Sequence, residues 1–127
     1  LVVDMNLSLP LSLKLFNDKA RTIVFNSIRH GEEENIMYYQ VTHDVNLVHQ
    51  VVHALYQLQL QSVIVEGGSR LLQSFIDEDM WDEARVIANE ALTIHKGLHA
   101  PSLYRAAAIS RQQLFTDTIT IYKPADE

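Results

Sequence analysis

Hydrophobic and polar positions along the chain follow two different periods. Ser62-Val63-Ile64-Val65 is a short unbroken run rich in β-branched residues, the pattern of a parallel strand covered on both faces. After Glu66, Gly67 and Gly68, the apolar positions Leu71, Leu72, Phe75 and Ile76 fall on one face of a helix expected to reach about Asp79. Ser69 is its expected N-cap. Upstream, Val45, Val48, Val51, Val52, Leu55 and Leu58 recur at helical spacing. They predict a helix from Val45 to about Gln59, capped by Asp44.

The remaining segments read mainly as strands and turns. Leu1–Asp4, Arg21–Asn26 and Ile36–Val41 are β-forming, whereas Leu13–Phe16 is too short to assign. Asn17–Ala20 reads as a turn. Ser27–Asn35, with Gly31 and three consecutive glutamates, reads as a solvated loop. Trp81 is expected at a helix-to-strand corner, with an extended strand over Asp82–Ile94 and a loop over His95–Pro101. Ala107–Phe115 and Thr118–Lys123 predict a hairpin closed at Thr116-Asp117. Thr118, Thr120 and Tyr122 would face one side of it, and Ile119 and Ile121 the other. The end, Pro124–Glu127, is expected to fray. The order β-β-β-α-β-α-β-β-β predicts an α/β fold: one mixed sheet with helices on both faces and an antiparallel C-terminal edge.

Composition narrows the class. The 127 residues suffice for one domain with a real core. A net charge of −6 disfavours nucleic acid or an anionic membrane surface as partner. The absence of cysteine excludes disulfides and cysteine zinc sites. No apolar run approaches the roughly 20 residues of a membrane helix, and no signal peptide is visible, so a cytoplasmic location is expected. Leu1–Val3 already reads as strand, which suggests part of a longer protein.

The candidate chemistry lies at the glycine turn. A strand–glycine–helix junction presents backbone N–H groups at a helix N-terminus, a ready site for an anionic phosphate. Gly67 and Gly68 permit positive φ and leave room for close approach of a ligand. Glu66, at the strand's carboxyl end, is placed to meet a polar substrate. The bland readings are a tight turn without ligand and a solvated carboxylate. The turn is neither a Walker loop nor a three-glycine dinucleotide fingerprint. His49 and His53 share a helix face, but no acidic third ligand stands nearby in sequence, so a packed or solvated face is preferred to a metal site. Asp77, Glu78 and Asp79 read as a solvated helix end.

Val65-Glu66-Gly67-Gly68, Leu71 and Trp81-Asp82-Glu83-Ala84-Arg85 resemble the pyrimidine reductase domain of the bifunctional riboflavin biosynthesis deaminase–reductase. The opening Leu1–Pro10 and the loop Lys96–Pro101 are similar to segments of that domain in the same order. The resemblance implies a dihydrofolate-reductase-like fold, with residues 1–127 as the C-terminal portion of the domain and its N-terminal part missing. It implies NADPH-dependent reduction of the ribosyl group of a phosphorylated aminouracil to ribityl, as 5-amino-6-(5-phosphoribosylamino)uracil reductase performs. By resemblance Glu66 contacts substrate, and Gly68, Ser69, Arg70, Leu71, Leu72, Gln73 and Ser74 hold the NADPH phosphates. No catalytic acid and no metal is implied. Met5 departs from members that place a small polar, cofactor-contacting residue there. The family's zinc deaminase domain is excluded from a cysteine-free chain. A homodimer is expected, and the 127 residues alone are expected to be inactive. Two other readings stand beside this one: a non-catalytic nucleotide- or phosphate-binding module using the same turn, and a purely structural dimerisation domain.

Overall fold

A computed structural model describes residues 1–17 and 19–125. The fold is mixed α/β, as the sequence predicts, and the chain divides into two units, Leu1–Ser62 and Val63–Glu127.

The first unit is built around the strand Thr22–Asn26 (β2 in chain order, after β1 at Val2–Val3), every residue of which is buried. β1 pairs with it in parallel on one side and Ile36–Gln40 (β4) on the other. A strand so flanked carries an unbroken apolar run, here Ile23-Val24-Phe25. A short strand at Gly31–Glu33 (β3) pairs antiparallel to β4, giving the order β1-β2-β4-β3. This strand lies inside the stretch read as a loop. The glutamate run 32–34, two residues of which are in the strand, hides the strand signal, and ion pairs of Arg21 with Glu32 and Arg29 with Glu33 accompany it. Leu13–Phe16 resolves into a 3-10 turn over Lys14–Phe16.

Helix α1, Leu47–Gln57, buries Val48, Val51, Ala54 and Leu55. It starts later than expected because Asn46, not Asp44, caps it. The Asn46 side chain accepts a hydrogen bond from Val48 N at 2.9 Å. Tyr39 Oη donates to Gln57 Oε1 at 2.9 Å, joining β4 to the helix end.

The second unit opens with an irregular segment and then helix α2, Ser69–Asp77. Strands Ala84–Asn89 (β5), Ala106–Leu114 (β6) and Asp117–Pro124 (β7) form an antiparallel sheet in the order β5-β7-β6. The β6–β7 hairpin carries a bulge between Ala108 and Ser110. β5 is shorter than the expected Asp82–Ile94, since Asn89 turns the chain: its Oδ1 accepts from Ala91 N and Leu92 N, each at 2.9 Å. Trp81 is half-buried. The expected frayed end is ordered as far as Ala125, whose N–H donates to Arg105 O at 2.8 Å; Asp126 and Glu127 lie outside the described residues.

Two expectations change. The strand at Ser62–Val65 does not form, and the strands divide between two sheets rather than one. A strand of that composition needs ladder partners and cover on both faces. No described strand pairs with it, and Ile64 is 85 % exposed.

Candidate functional site

The parallel strands of the first unit end in side-chain caps. Asp4 follows β1 and is buried. Its Oδ1 accepts from Ser8 N and Ser8 Oγ, both at 3.0 Å, and its Oδ2 from Leu9 N at 2.8 Å. Burial opposes ionisation of Asp4, but these hydrogen bonds prevail and hold its pKa below the ordinary carboxylate value. Asn26, at the end of β2, is fully buried. It accepts from Ile28 N and Arg29 N and donates to Val24 O at 3.1 Å. The Met5 carbonyl accepts from Ser27 N and Ser27 Oγ, at 2.9 and 2.8 Å. Met5 therefore contributes a structural acceptor between the ends of β1 and β2.

An open groove of about 200 Å³ lies beside these caps, lined by Asp4, Leu9, Phe16, Val24, Arg29 and Tyr38 among others. Its charged groups are engaged within the unit. Asp4 holds the loop described above. Arg29 pairs with Glu33 at 2.6 Å and stacks 3.6 Å from the Tyr38 ring centroid. Asp4 and Asn26 act as loop anchors, a role no spacing motif signals.

The glycine turn of the second unit has a different character. Glu66, Gly67, Gly68 and Arg70 are exposed. Gly68 is the N-cap of α2, with φ −61° and ψ 164°, and no side chain caps the helix. Ser69 is accordingly the first helical residue rather than the cap. Neither glycine takes positive φ; among the described glycines only Gly31 does. Their value is spatial. A Cβ on Gly67 would lie 2.8 Å from Leu71 Cδ2 and 3.3 Å from Leu71 Cβ, whereas a Cβ on Gly68 would meet nothing within 4 Å. Gly67 thus lets the chain pack against Leu71, and Gly68 leaves the helix end open.

The first hydrogen bond of the helix is donated by Leu72 N to Gly68 O at 3.2 Å. The N–H groups of Ser69, Arg70 and Leu71 lie ahead of that ladder, at the positive end of the helix dipole. These donors suit an anionic group such as phosphate.

The last two residues of the expected cofactor segment are turned to internal partners. Ser74 Oγ donates to Arg70 O at 2.9 Å. Gln73 Oε1 accepts from Ser102 N at 2.8 Å, and its Nε2 donates to Ser102 O at 3.3 Å and to Asp77 Oδ1 at 2.7 Å. Tyr104 Oη donates to the same Asp77 oxygen at 2.7 Å. Hydrogen bonds from Gln73 and then Tyr104 hold the Asp77 pKa below its usual range, and Asp77 in turn raises that of Tyr104. Arg105 pairs with Asp79 at 3.3 Å. Asp77 and Asp79, read from sequence as a merely solvated end, are the anchor points of a loop. Tyr104 and Arg105 lie 27 and 26 residues from Asp77 and Asp79, beyond the reach of any local pattern.

A model of the RibD C-terminal domain family matches residues 1–92. A curated relative is the 2,5-diamino-6-ribosylamino-4(3H)-pyrimidinone 5′-phosphate reductase of Archaeoglobus fulgidus. It is 29 % identical over an alignment of 92 residues that covers 67 % of this chain and 42 % of the relative. Among solved structures, the Thermotoga maritima diaminohydroxyphosphoribosylaminopyrimidine deaminase/5-amino-6-(5-phosphoribosylamino)uracil reductase superposes with a TM-score of 0.77 at 21 % identity. One form of Acinetobacter baumannii RibD gives 0.75 at 18 %. Each superposition covers 98 % of this chain and 37 % of the other. At these identities the likeness shows the fold. The chain spans well under half the length of each of these relatives.

Proposed function

The chain belongs to the RibD C-terminal domain family, and from that membership we propose that residues 1–127 are the C-terminal portion of an NADPH-dependent pyrimidine reductase domain of riboflavin biosynthesis. The carrying observation is that the family match includes Glu66, the Gly67–Gly68 turn and all of α2, where free helix donors stand open to an anion. The reductase name of the curated relative supports the same reading.

In this reading Gly68 and the N–H groups of Ser69, Arg70 and Leu71 hold a cofactor phosphate, with the Arg70 guanidinium adding charge. Leu72, Gln73 and Ser74 complete the segment through the helix itself. Glu66 meets the substrate, the phosphorylated ribosylaminouracil. NADPH, when bound, supplies the hydride. The residues of this chain bind and orient, and no side chain here is assigned proton transfer. The chain supplies one wall of the site, so turnover requires the rest of the domain, and the working enzyme is a homodimer in the cytoplasm. Among the described residues no helix is long and apolar enough to cross a membrane.

Calorimetric titration with NADPH, NADH and ATP tests this reading. Preference for NADPH supports the reductase, and equal binding of all three supports a general nucleotide- or phosphate-binding module instead. An assay of NADPH oxidation with the phosphorylated ribosylaminouracil, on this chain beside an enzyme of the relatives' full length, is expected to show turnover from the longer protein alone. In that longer protein Glu66→Gln is expected to reduce substrate turnover while sparing NADPH affinity. Loss of cofactor affinity with unchanged substrate affinity would move Glu66 out of the substrate site.

A further inference from the structure

The β6–β7 hairpin turns over two residues, Phe115 and Thr116, since Leu114 pairs with Asp117 across it. Phe115 takes φ +54°, and Thr116 does not share the left-handed conformation. The first turn position of such a hairpin falls by preference to glycine, because a side chain there crowds the backbone. A bulky aromatic ring is the least expected occupant, and here it is 93 % exposed. The turn is held on several sides. Asn89 Nδ2 donates to Thr116 Oγ1 at 2.9 Å and to Asp117 Oδ1 at 2.6 Å. Gln113 Nε2 donates to Phe115 O at 3.0 Å, and Thr118 Oγ1 donates to Gln113 Oε1 at 2.9 Å. The fold thus fixes the backbone that presents an apolar ring to solvent. A strained φ and an exposed ring both cost stability, and a ring this exposed gains no packing within the chain to offset either.

The groove beside Asp4 has the complementary form. Leu7, Leu9, Leu11, Phe16 and Val24 give it apolar walls around about 200 Å³, and Leu11 is 62 % exposed. An apolar cavity of about 150 Å³ takes a benzene ring, so this groove has room for one phenyl group. Arg29 also lines it; its Nη2 pairs with Glu33, and the guanidinium has further donors. On the hairpin, Asp117 lies two residues from the ring and is the only charged residue from Gln112 to Ile119. The ring therefore matches the groove walls in polarity and size, and the carboxylate matches the guanidinium in charge.

We infer that Phe115 is a self-association anchor: the ring of one copy seats in the groove of Leu7, Leu9, Leu11 and Phe16 on a second copy, with Asp117 facing Arg29. The inference rests on the reading that the protein works as a homodimer, and it names the surfaces that meet. In a two-fold pair the contact is made twice, each copy giving its ring and receiving the other's. One seated ring and the walls it covers remove roughly 400 Å² from water. Two such contacts fall somewhat short of the ~1,000 Å² of a stable interface. Association is therefore concentration-dependent, and the dilute chain unfolds as a monomer.

The experiment is light scattering over a concentration series on the wild-type chain, Phe115→Ser, Leu11→Glu and an equimolar mixture of the two variants. Both substituted side chains are exposed, so the thermal midpoints are expected to match wild type. The wild-type mass is expected to rise toward two chains with concentration. Phe115→Ser removes the ring, and Leu11→Glu puts a carboxylate in the groove; each alone is expected to associate at least about tenfold more weakly. The mixture is expected to associate more strongly than either variant, because Phe115→Ser keeps an intact groove and Leu11→Glu an intact ring. A wild-type chain that stays monomeric throughout would overturn the homodimer reading and the inference together. Wild-type association that Phe115→Ser leaves unchanged would overturn the inference alone. A mixture no more associated than its components would take the ring out of this groove, and the inference would fail there too.

Discussion

The two units of this chain reach order by different means. In Leu1–Ser62 a central strand is buried along its whole length, and Val24, Phe25, Tyr38, Val41, Val48, Val51, Ala54 and Leu55 form a packed apolar interior. In Val63–Glu127 the buried apolar residues are Phe75 and Ile76, while Ile87 is 66 % and Phe115 93 % exposed. The second unit is held by the antiparallel ladder of β5, β6 and β7 and by polar side chains that fasten a loop to α2. The proposed phosphate turn sits on this second unit.

Substitutions sharpen the contrast. The largest effect is expected from Phe25→Ala, at about 3–5 kcal/mol, since a fully buried ring leaves a cavity its neighbours cannot fill. Denaturant unfolding followed by a probe in the first unit measures it; a loss near zero would mean that this interior is not the core. Asp4→Ala is expected to cost about 2 kcal/mol, because it strands the Ser8 and Leu9 donors in a part-buried loop. The pKa of Asp4 is depressed in the fold. The stability it contributes is therefore present above the ordinary carboxylate value of about 3.9 and lost as pH falls through the lower folded value. An Asp4→Asn variant is expected to lose less stability than wild type between neutral pH and pH about 3.

Gly67→Ala comes next, at up to about 1 kcal/mol, since the Leu71 methyl it meets can turn aside and only the 3.3 Å approach to Leu71 Cβ must give. Gly68→Ala, in open space, is expected to unfold like wild type. Equal thermal midpoints for both glycine variants would remove the spatial argument for the turn. Smallest is Phe115→Ser in the hairpin of the second unit, expected within about 0.5 kcal/mol. A large loss there would show that this exposed ring is covered in solution, which mass measurement by light scattering would then trace to self-association.

How much of this was legible in the sequence follows the same division. Period and composition located β2, β4, both helices and the C-terminal hairpin, because their apolar spacing reflects burial on known faces. They miss β3, whose glutamates resemble a loop, and they read Ser62–Val65 as a strand, although apolar character alone does not supply a pairing partner. The glycine turn is visible as a motif, but neither glycine takes the positive φ expected of it; what the structure adds is that a Cβ on Gly67 would crowd Leu71. Asn26 as loop anchor and the Gln73–Asp77–Tyr104 clasp were invisible, since each depends on partners brought together by tertiary structure.

The central claim, that the end of α2 receives a dinucleotide phosphate, is tested most directly by titrating NADPH into the wild-type chain and Gly68→Val side by side. The new side chain enters open space, so the thermal midpoint is expected to stay within a few degrees of wild type. It also stands across the approach to the Ser69, Arg70 and Leu71 N–H groups, so NADPH binding is expected to weaken at least about tenfold, or about 1.4 kcal/mol. Equal affinity in a folded Gly68→Val chain would contradict the account and place any nucleotide site elsewhere.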